Sequence, residues 1–331
     1  MKKVGIIILI LILISMVIGL CKLLVFSIHH NSWNWFMGFG NSGGVRKEEN
    51  IRKEQKIDIA DVTKINLEFK SSDLNVFFTE DNQIRVVQYA FQELSEEDLF
   101  RVNKTSSSIN ISEYNKPRFH FFYFGFIDGM AYDVYIPKNY EGSLEMKAIS
   151  GDIEVNENLK FEDLVISSTS GDIKMGNVEA KSIQVETTSG DIKLQKLTED
   201  TLKLKSVSGD ITVEEAHGTI EAKTTSGSIE VQKIEGKVEF SSISGDIKSD
   251  DFKITGNSKI KTTSGNVRTY LNQESNCEIQ TKSVSGNITL PNRRNVMGHE
   301  PYVELAIETI SRQYSIRKIV TICGSLYPNR E

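Results

Sequence analysis

Between Leu144 and Ile288, apolar and polar residues alternate with a period of two, and a Ser-Gly pair interrupts the alternation every 18 to 21 residues. The glycines are Gly151, Gly171, Gly190, Gly209, Gly227, Gly245, Gly265 and Gly286, so Ser-Gly-Asp-Ile or a near relative occurs eight times. Six residues before the serine stand Leu144, Leu164, Ile183, Leu202, Ile220, Val238, Ser258 and Ile279. Four before it stand Met146, Ile166, Val185, Leu204, Ala222, Phe240, Ile260 and Thr281. Three residues after it the chain is apolar in every copy, from Ile153 to Ile288. Alternation of period two puts one face of a strand inward and the other outward. Each repeat therefore predicts two short strands meeting at a Ser-Gly corner.

One such pair cannot bury its apolar face alone. Stacking successive copies at about 4.8 Å pairs every strand with the next and closes a continuous core. The expected fold is all-β, a single-stranded β-helix or β-solenoid with rungs of about 19 residues. Eight regular rungs would span roughly 38 Å. The glycines are expected to serve tight corners with positive φ. The column two before the serine (Ala148, Ser168, Thr187, Ser206, Thr224, Ser242, Thr262, Ser283) points inward beside them. Its hydroxyls need partners, either one another along the stack or the corner backbone. Weaker copies run from Ile65 to Leu74, with Ser72 in the glycine place, from Ser106 to Ile111, and from Leu305 to Ser311, with Arg312 in the glycine place. Atypical end copies suit caps over exposed edges. A short helix is expected between Gln88 and Leu99.

Ahead of this body, Val4 to Cys21 carries no charged residue, and Leu23 to Ile28 lengthen the apolar run past Lys22. That length predicts one N-terminal transmembrane helix within residues 1–30. Trp33, Trp35 and Phe36 fall where an aromatic interface belt belongs, and Lys2 and Lys3 favour an N-terminus held inside. No small-residue cleavage pair follows the run, and Leu20 before Cys21 disfavours a lipoprotein. The charged stretch within residues 31–56 reads as a juxtamembrane linker. Residues 57–325 then form the solenoid, outside the cytoplasm.

Lys and Arg number 39 against 45 Asp and Glu, for a net charge of -6, which argues against nucleic acid as a partner. Cys21, Cys277 and Cys323 cannot make a disulfide framework. A Cys277–Cys323 bridge is open, but two buried thiols is the preferred reading. His29, His30, His120, His217 and His299 have no metal-ligand spacing, and no cofactor is expected. The corner column Asp152, Asp172, Asp191, Asp210, Ser228, Asp246, Asn266 and Asn287 is the most tempting constellation. At rung spacing, neighbouring carboxylates repel by about 0.9 kcal/mol even in water. A calcium-binding edge is one reading; side-chain capping of nearby backbone N–H groups is the other. Ser and Asn in the column favour capping. A polysaccharide-acting enzyme would need two carboxylates in different environments, the opposite of a repeated equivalent column. Glu214, Glu215, Asp250 and Asp251, which break the pattern, read as solvated turn charges.

Phe119 to Ile127 is rich in aromatics. It reads chiefly as a cap over the first regular rung; the functional alternative is a contact patch through Phe121, Phe122, Tyr123 and Phe124. The serial Ser-Gly-Asp-Ile motif resembles the bacterial putative-adhesin family built on the domain of unknown function 4097, over roughly residues 57 to 325. The apolar N-terminus resembles the membrane-anchored members linked to envelope-stress operons. The resemblance implies a β-helix and supplies no catalytic residue. Ser228, Asn266, Asn287 and Arg312 depart from the motif. The expected function is non-catalytic: a membrane-held surface module contacting a cell-envelope ligand or a membrane signalling protein. A polymerising scaffold is the second class, and the degenerate end rungs argue against it.

Overall fold

The computed structural model describes residues 44–113, 130–155, 159–271, 277–283, 288–289, 303–309 and 320–321. Its body is a β-solenoid of about six regular turns with rungs of about 19 residues, against the eight expected. Strand Ser143–Ser150 pairs in parallel with Leu159–Ser170, which pairs with Val178–Ser189, and so on through Ile192–Ser208, Ile211–Ser226 and Ile229–Ser244. The register sets Leu144, Leu164, Ile183, Leu202, Ile220 and Val238 over one another. A slip of one residue would turn every one of these side chains to solvent, so alternation fixes the register. All six are buried, and the column Ile153, Ile173, Ile192, Ile211, Ile229, Ile247 is fully so. Burying each such aliphatic side chain stabilises the fold by about 1.5–3 kcal/mol.

The two ends do not follow chain order. Strand Lys64–Phe69 pairs with Ser143–Ser150, continuing the stack, but on its other side it pairs with Ser108–Ser112. Asp73–Thr79 likewise lies between Ile153–Val155 and Met130–Pro137. The faint repeat near Ser106 is therefore a rung, placed outside the one that precedes it in sequence. Antiparallel strands finish this end: Gln83–Ala90 on Met130–Pro137, Ile51–Asp58 on Gln83–Ala90, and Arg101–Lys104 on Ser108–Ser112. At the other end Ser258–Ser264 pairs with Val303–Thr309, and Cys277–Ser283 pairs on the far side of that strand.

Two sequence expectations change here. The helix between Gln88 and Leu99 is absent; Gln83–Ala90 is a strand, and only Glu96–Asp98 forms a 3-10 turn. Fully buried Gln88 organises this segment. Its Nε2 donates to Asp98 O and to the Tyr132 hydroxyl (both 2.9 Å), and its Oε1 accepts from Phe100 N (3.0 Å). The linker also ends earlier than expected, because the compact unit starts at Val45 and Ile51–Asp58 is a strand. Val45 is buried with Val87, Tyr89 and Ala131. Arg46 Nε reaches Asp133 Oδ1 at 2.8 Å, with both side chains largely shielded. Among the described residues no helix is long and apolar enough to cross a membrane; the expected span in residues 1–30 lies outside them.

Candidate interaction surface

The Ser-Gly corners stack in one line. A Cβ on Gly171, Gly190, Gly209, Gly227, Gly245 or Gly265 would lie 2.0–2.2 Å from the carbonyl oxygen of the glycine one rung earlier; on Gly151 it would meet Ser72 O at 2.4 Å. The φ values explain only part of the column: Gly151 to Gly227 run from +130° to +158°, but Gly245 and Gly265 are outside the left-handed range. Close backbone approach between rungs is the requirement common to all. The eighth glycine, Gly286, lies outside the described residues.

Successive rungs complete polar groups of the one before, although the Ser168 and Thr187 hydroxyls of the inward column are buried with no hydrogen-bond partner. Hydroxyls of Ser206, Thr224, Ser242 and Thr262 donate to the carbonyls of Gly190, Gly209, Gly227 and Gly245 at 3.5, 3.4, 3.0 and 3.0 Å. They bond the corner backbone and not one another. The acidic column works likewise: Asp152 Oδ1 accepts from Asp172 N, Asp172 Oδ1 from Asp191 N, and Asp191 Oδ1 from Asp210 N, at 2.9–3.0 Å. Asp210 Oδ1 accepts from Ser228 N and Asp246 Oδ1 from Asn266 N, both at 2.7 Å. The capping reaches across rungs, beyond the local turn expected. The N–H of Asp210, with Lys193 beside it, holds the Asp191 carboxyl below its usual range. Asp and Asn share the acceptor oxygen this ladder uses.

The outward faces carry charge in register. Lys233 pairs with Glu215 (2.9 Å), Lys248 with Glu230 (2.7 Å) and Lys253 with Glu235 (3.0 Å), each across one rung. Glu215, expected as a solvated turn charge, is a hub. It meets Lys233, His217 Nε2 (3.0 Å) and Lys196 (3.7 Å), and the hydrogen bonds from Lys233 and His217 draw its pKa down to about 2. Beside the corner a narrow uncharged strip interrupts these faces, where Ile149, Val207 and Ile243 are 41–54% exposed. Along another edge a groove of about 580 Å³ is lined by Glu141, Glu162, Glu179 and Asp200, with Lys160 and Lys181 paired to Glu179 and Glu162. It is open, and two of its four acids are paired with lysines. Among the described residues no group of three or more His, Cys, Asp or Glu is placed to hold a metal ion.

Of the sites anticipated, seven glycines come together at the corner. Phe121, Phe122, Tyr123 and Phe124 lie outside the described residues, as do Cys21 and Cys323. The exposed strip was missed although its signal is plain: the position two before each glycine reads Ile149, Thr169, Thr188, Val207, Thr225, Ile243 and Thr263, β-branched every time.

The family model described as Toastrack DUF4097 matches residues 62–248 and 220–309. The chain is similar in structure to a “putative adhesin” of Bacteroides fragilis, with 18% identity over 80% of this chain and 97% of that one and a TM-score of 0.39. It is also similar to a “putative lipid binding protein” of Parabacteroides distasonis (13% identity, 80% and 98% coverage, TM-score 0.39). A “putative cell adhesion protein” of Clostridium sporogenes gives 11% identity, 78% and 94% coverage and a TM-score of 0.22. No curated protein matches the sequence.

Proposed function

We propose, on the premise that this chain belongs to the Toastrack DUF4097 family, that it is a non-catalytic surface module held to the cell membrane by residues 1–30. Its solenoid faces the cell envelope and contacts a surface ligand or a membrane signalling protein. The observation that carries this reading is the use made of the repeated acids and hydroxyls. Asp152, Asp172, Asp191, Asp210 and Asp246 give an oxygen to the next rung, and the hydroxyls from Ser206 to Thr262 close on glycine carbonyls. Groups that build the stack are not differentiated for acid–base work. What remains outward is a broad, charge-paired surface suited to shallow contact over a deep small-molecule site.

The edge strands speak against the scaffold alternative. Ile51–Asp58 carries Arg52, Lys53, Glu54 and Lys56, and Arg101–Lys104 carries a charge at each end. Charged edges resist end-to-end strand pairing.

The test is fractionation of a bacterial host making the full chain, followed by crosslinking of intact cells. Membrane retention against high salt, loss of retention on deleting residues 1–30, and capture of an envelope component by the solenoid are expected. A full chain that washes free of membranes, or a purified solenoid that cleaves envelope polysaccharide, would overturn the reading.

A further inference from the structure

The C-terminal end holds two strands of the same pattern in an order the repeat does not dictate. Val303–Thr309 lies directly on Ser258–Ser264, setting Leu305 against Ser258, Ile307 against Ile260 and Thr309 against Thr262. Cys277–Ser283 sits one strand further out, setting Ile279 against Leu305, Thr281 against Ile307 and Ser283 against Thr309. The other half of the same repeat is not displaced: Ile288–Thr289 pairs directly with Val267–Leu271. One repeat is thus split between two layers. Its first strand is two strands from its counterpart in the preceding rung, and its second strand is one.

We propose that Cys277–Ser283 and Val303–Thr309 compete for one place in the ladder. In the exchanged state Cys277–Ser283 lies on Ser258–Ser264, the split repeat becomes a continuous rung, and Val303–Thr309 is released. The register makes the two occupants interchangeable. Both offer an aliphatic residue opposite Ser258 and a hydroxyl residue opposite Thr262. They differ opposite Ile260, where Val303–Thr309 supplies Ile307 and the rival supplies Thr281. Leu305 and Ile307 are fully buried, and the Thr309 hydroxyl donates to Gly265 O at 3.3 Å. That burial favours the arrangement seen. The place being contested is itself poorly apolar: Ser258 faces it, and inward-pointing Ser249 and Thr269, register partners in the adjoining strands, are buried with no hydrogen-bond partner for either hydroxyl. Exchange frees Leu305 and Ile307 from the core and brings Cys277–Ser283, with Val320–Thr321 paired antiparallel on its other side, one strand inward.

Disulfide trapping tests this on the full chain with its three native cysteines changed to serine. Lys259→Cys with Ala306→Cys joins register partners of the observed state. Lys259→Cys with Gln280→Cys joins residues now two strands apart, roughly 9.6 Å, beyond the ~7 Å a disulfide can bridge. The first pair should close in most molecules, and the second as a slow, intramolecular minority. Ile307→Thr removes the advantage of the inserted strand and should raise the yield of the second pair at least about tenfold, with the solenoid's circular dichroism unchanged. No closure of the second pair even with Ile307→Thr, while the first pair still closes, would overturn the proposal. So would closure of the second pair only between two chains.

Discussion

Replacing Gly209 with alanine tests whether the corners are held by backbone contact between rungs. A Cβ there would sit 2.0 Å from Gly190 O and 2.6 Å from Gly190 C, in a backbone at φ +154°. Relief requires the two corners to part by more than about 1 Å, since carbon–oxygen contacts close at about 3.3 Å. That separation is fixed by Gly190 N donating to Ser208 O (3.1 Å) and Asp210 N donating to Asp191 Oδ1 (3.0 Å). Losing both costs about 2 kcal/mol, and the strained φ adds about 1–3 kcal/mol. The entropy an alanine removes from the unfolded chain returns only about 0.4–1 kcal/mol. The net loss is about 3 kcal/mol, or about 1 M in the urea midpoint at the slope of a protein this size. Because each rung contacts only its neighbours, a defect in the middle should also broaden or split the transition. Gly256→Ala is the control: the nearest atoms belong to the Lys237 side chain, beginning at 3.2 Å, so a loss within about 1 kcal/mol is expected. Urea titrations of residues 45–331, followed by circular dichroism, compare the two. A Gly209→Ala variant as stable as Gly256→Ala would refute the stacking argument.

Three further outcomes follow from the same contacts. Asp172→Asn keeps the acceptor for Asp191 N and should cost under about 1 kcal/mol, whereas Asp172→Ala removes it and should cost about 1–3 kcal/mol in the same titration. Glu215 has its pKa drawn down to about 2, below the ~4.3 of an unfolded glutamate, so its pairing contributes fully above about pH 5 and is lost as pH falls toward 2. Urea midpoints taken from pH 6 to pH 2 should therefore fall less steeply for Glu215→Gln than for the parent. Arg46→Ala leaves Asp133, shielded and hydrogen-bonded to the Tyr89 side chain, without its cationic partner at the first cap and should cost about 3 kcal/mol, with faster amide exchange in Ile51–Asp58 and Met130–Pro137; unchanged exchange there would place residues 45–50 outside the folded body.

The central rungs were legible because one physical rule repeats: alternation sets the register, and the register superimposes like residues. The ends were not legible because their order is set by long-range competition that local pattern does not encode. Ser108–Ser112 carries a fair copy of the motif, yet nothing in it says that the strand lies outside Lys64–Phe69. The helix expected after Gln88 failed because a buried amide organises the segment through three hydrogen bonds to distant backbone and side-chain groups. The glycine column needs a reason that spacing does not carry, since spacing reveals that a Cβ is unwelcome but not which atom excludes it.

The side-chain ladders also have a direction, and direction sets what the first corner needs. The corner Asp N–H and the inward hydroxyls donate back to oxygens of the rung before, while the corner Gly and Ile N–H groups donate forward to carbonyls of the rung after, so a first corner lacks the side-chain acceptor that a preceding rung would supply. At the start the deficit is met by an acid: Glu113 accepts from Lys70 N (2.6 Å), Ser71 N (3.3 Å) and the Ser72 hydroxyl (3.1 Å). Toward the other end the ordinary ladder bond continues, the Thr309 hydroxyl donating to Gly265 O. A carboxylate accepting several N–H and O–H bonds is a strong local tie, whereas a single neutral hydroxyl bond contributes about 1 kcal/mol. The first corner is thus tied by an acid in place of a preceding rung, whereas at the other end two strands of similar pattern can contend for one position.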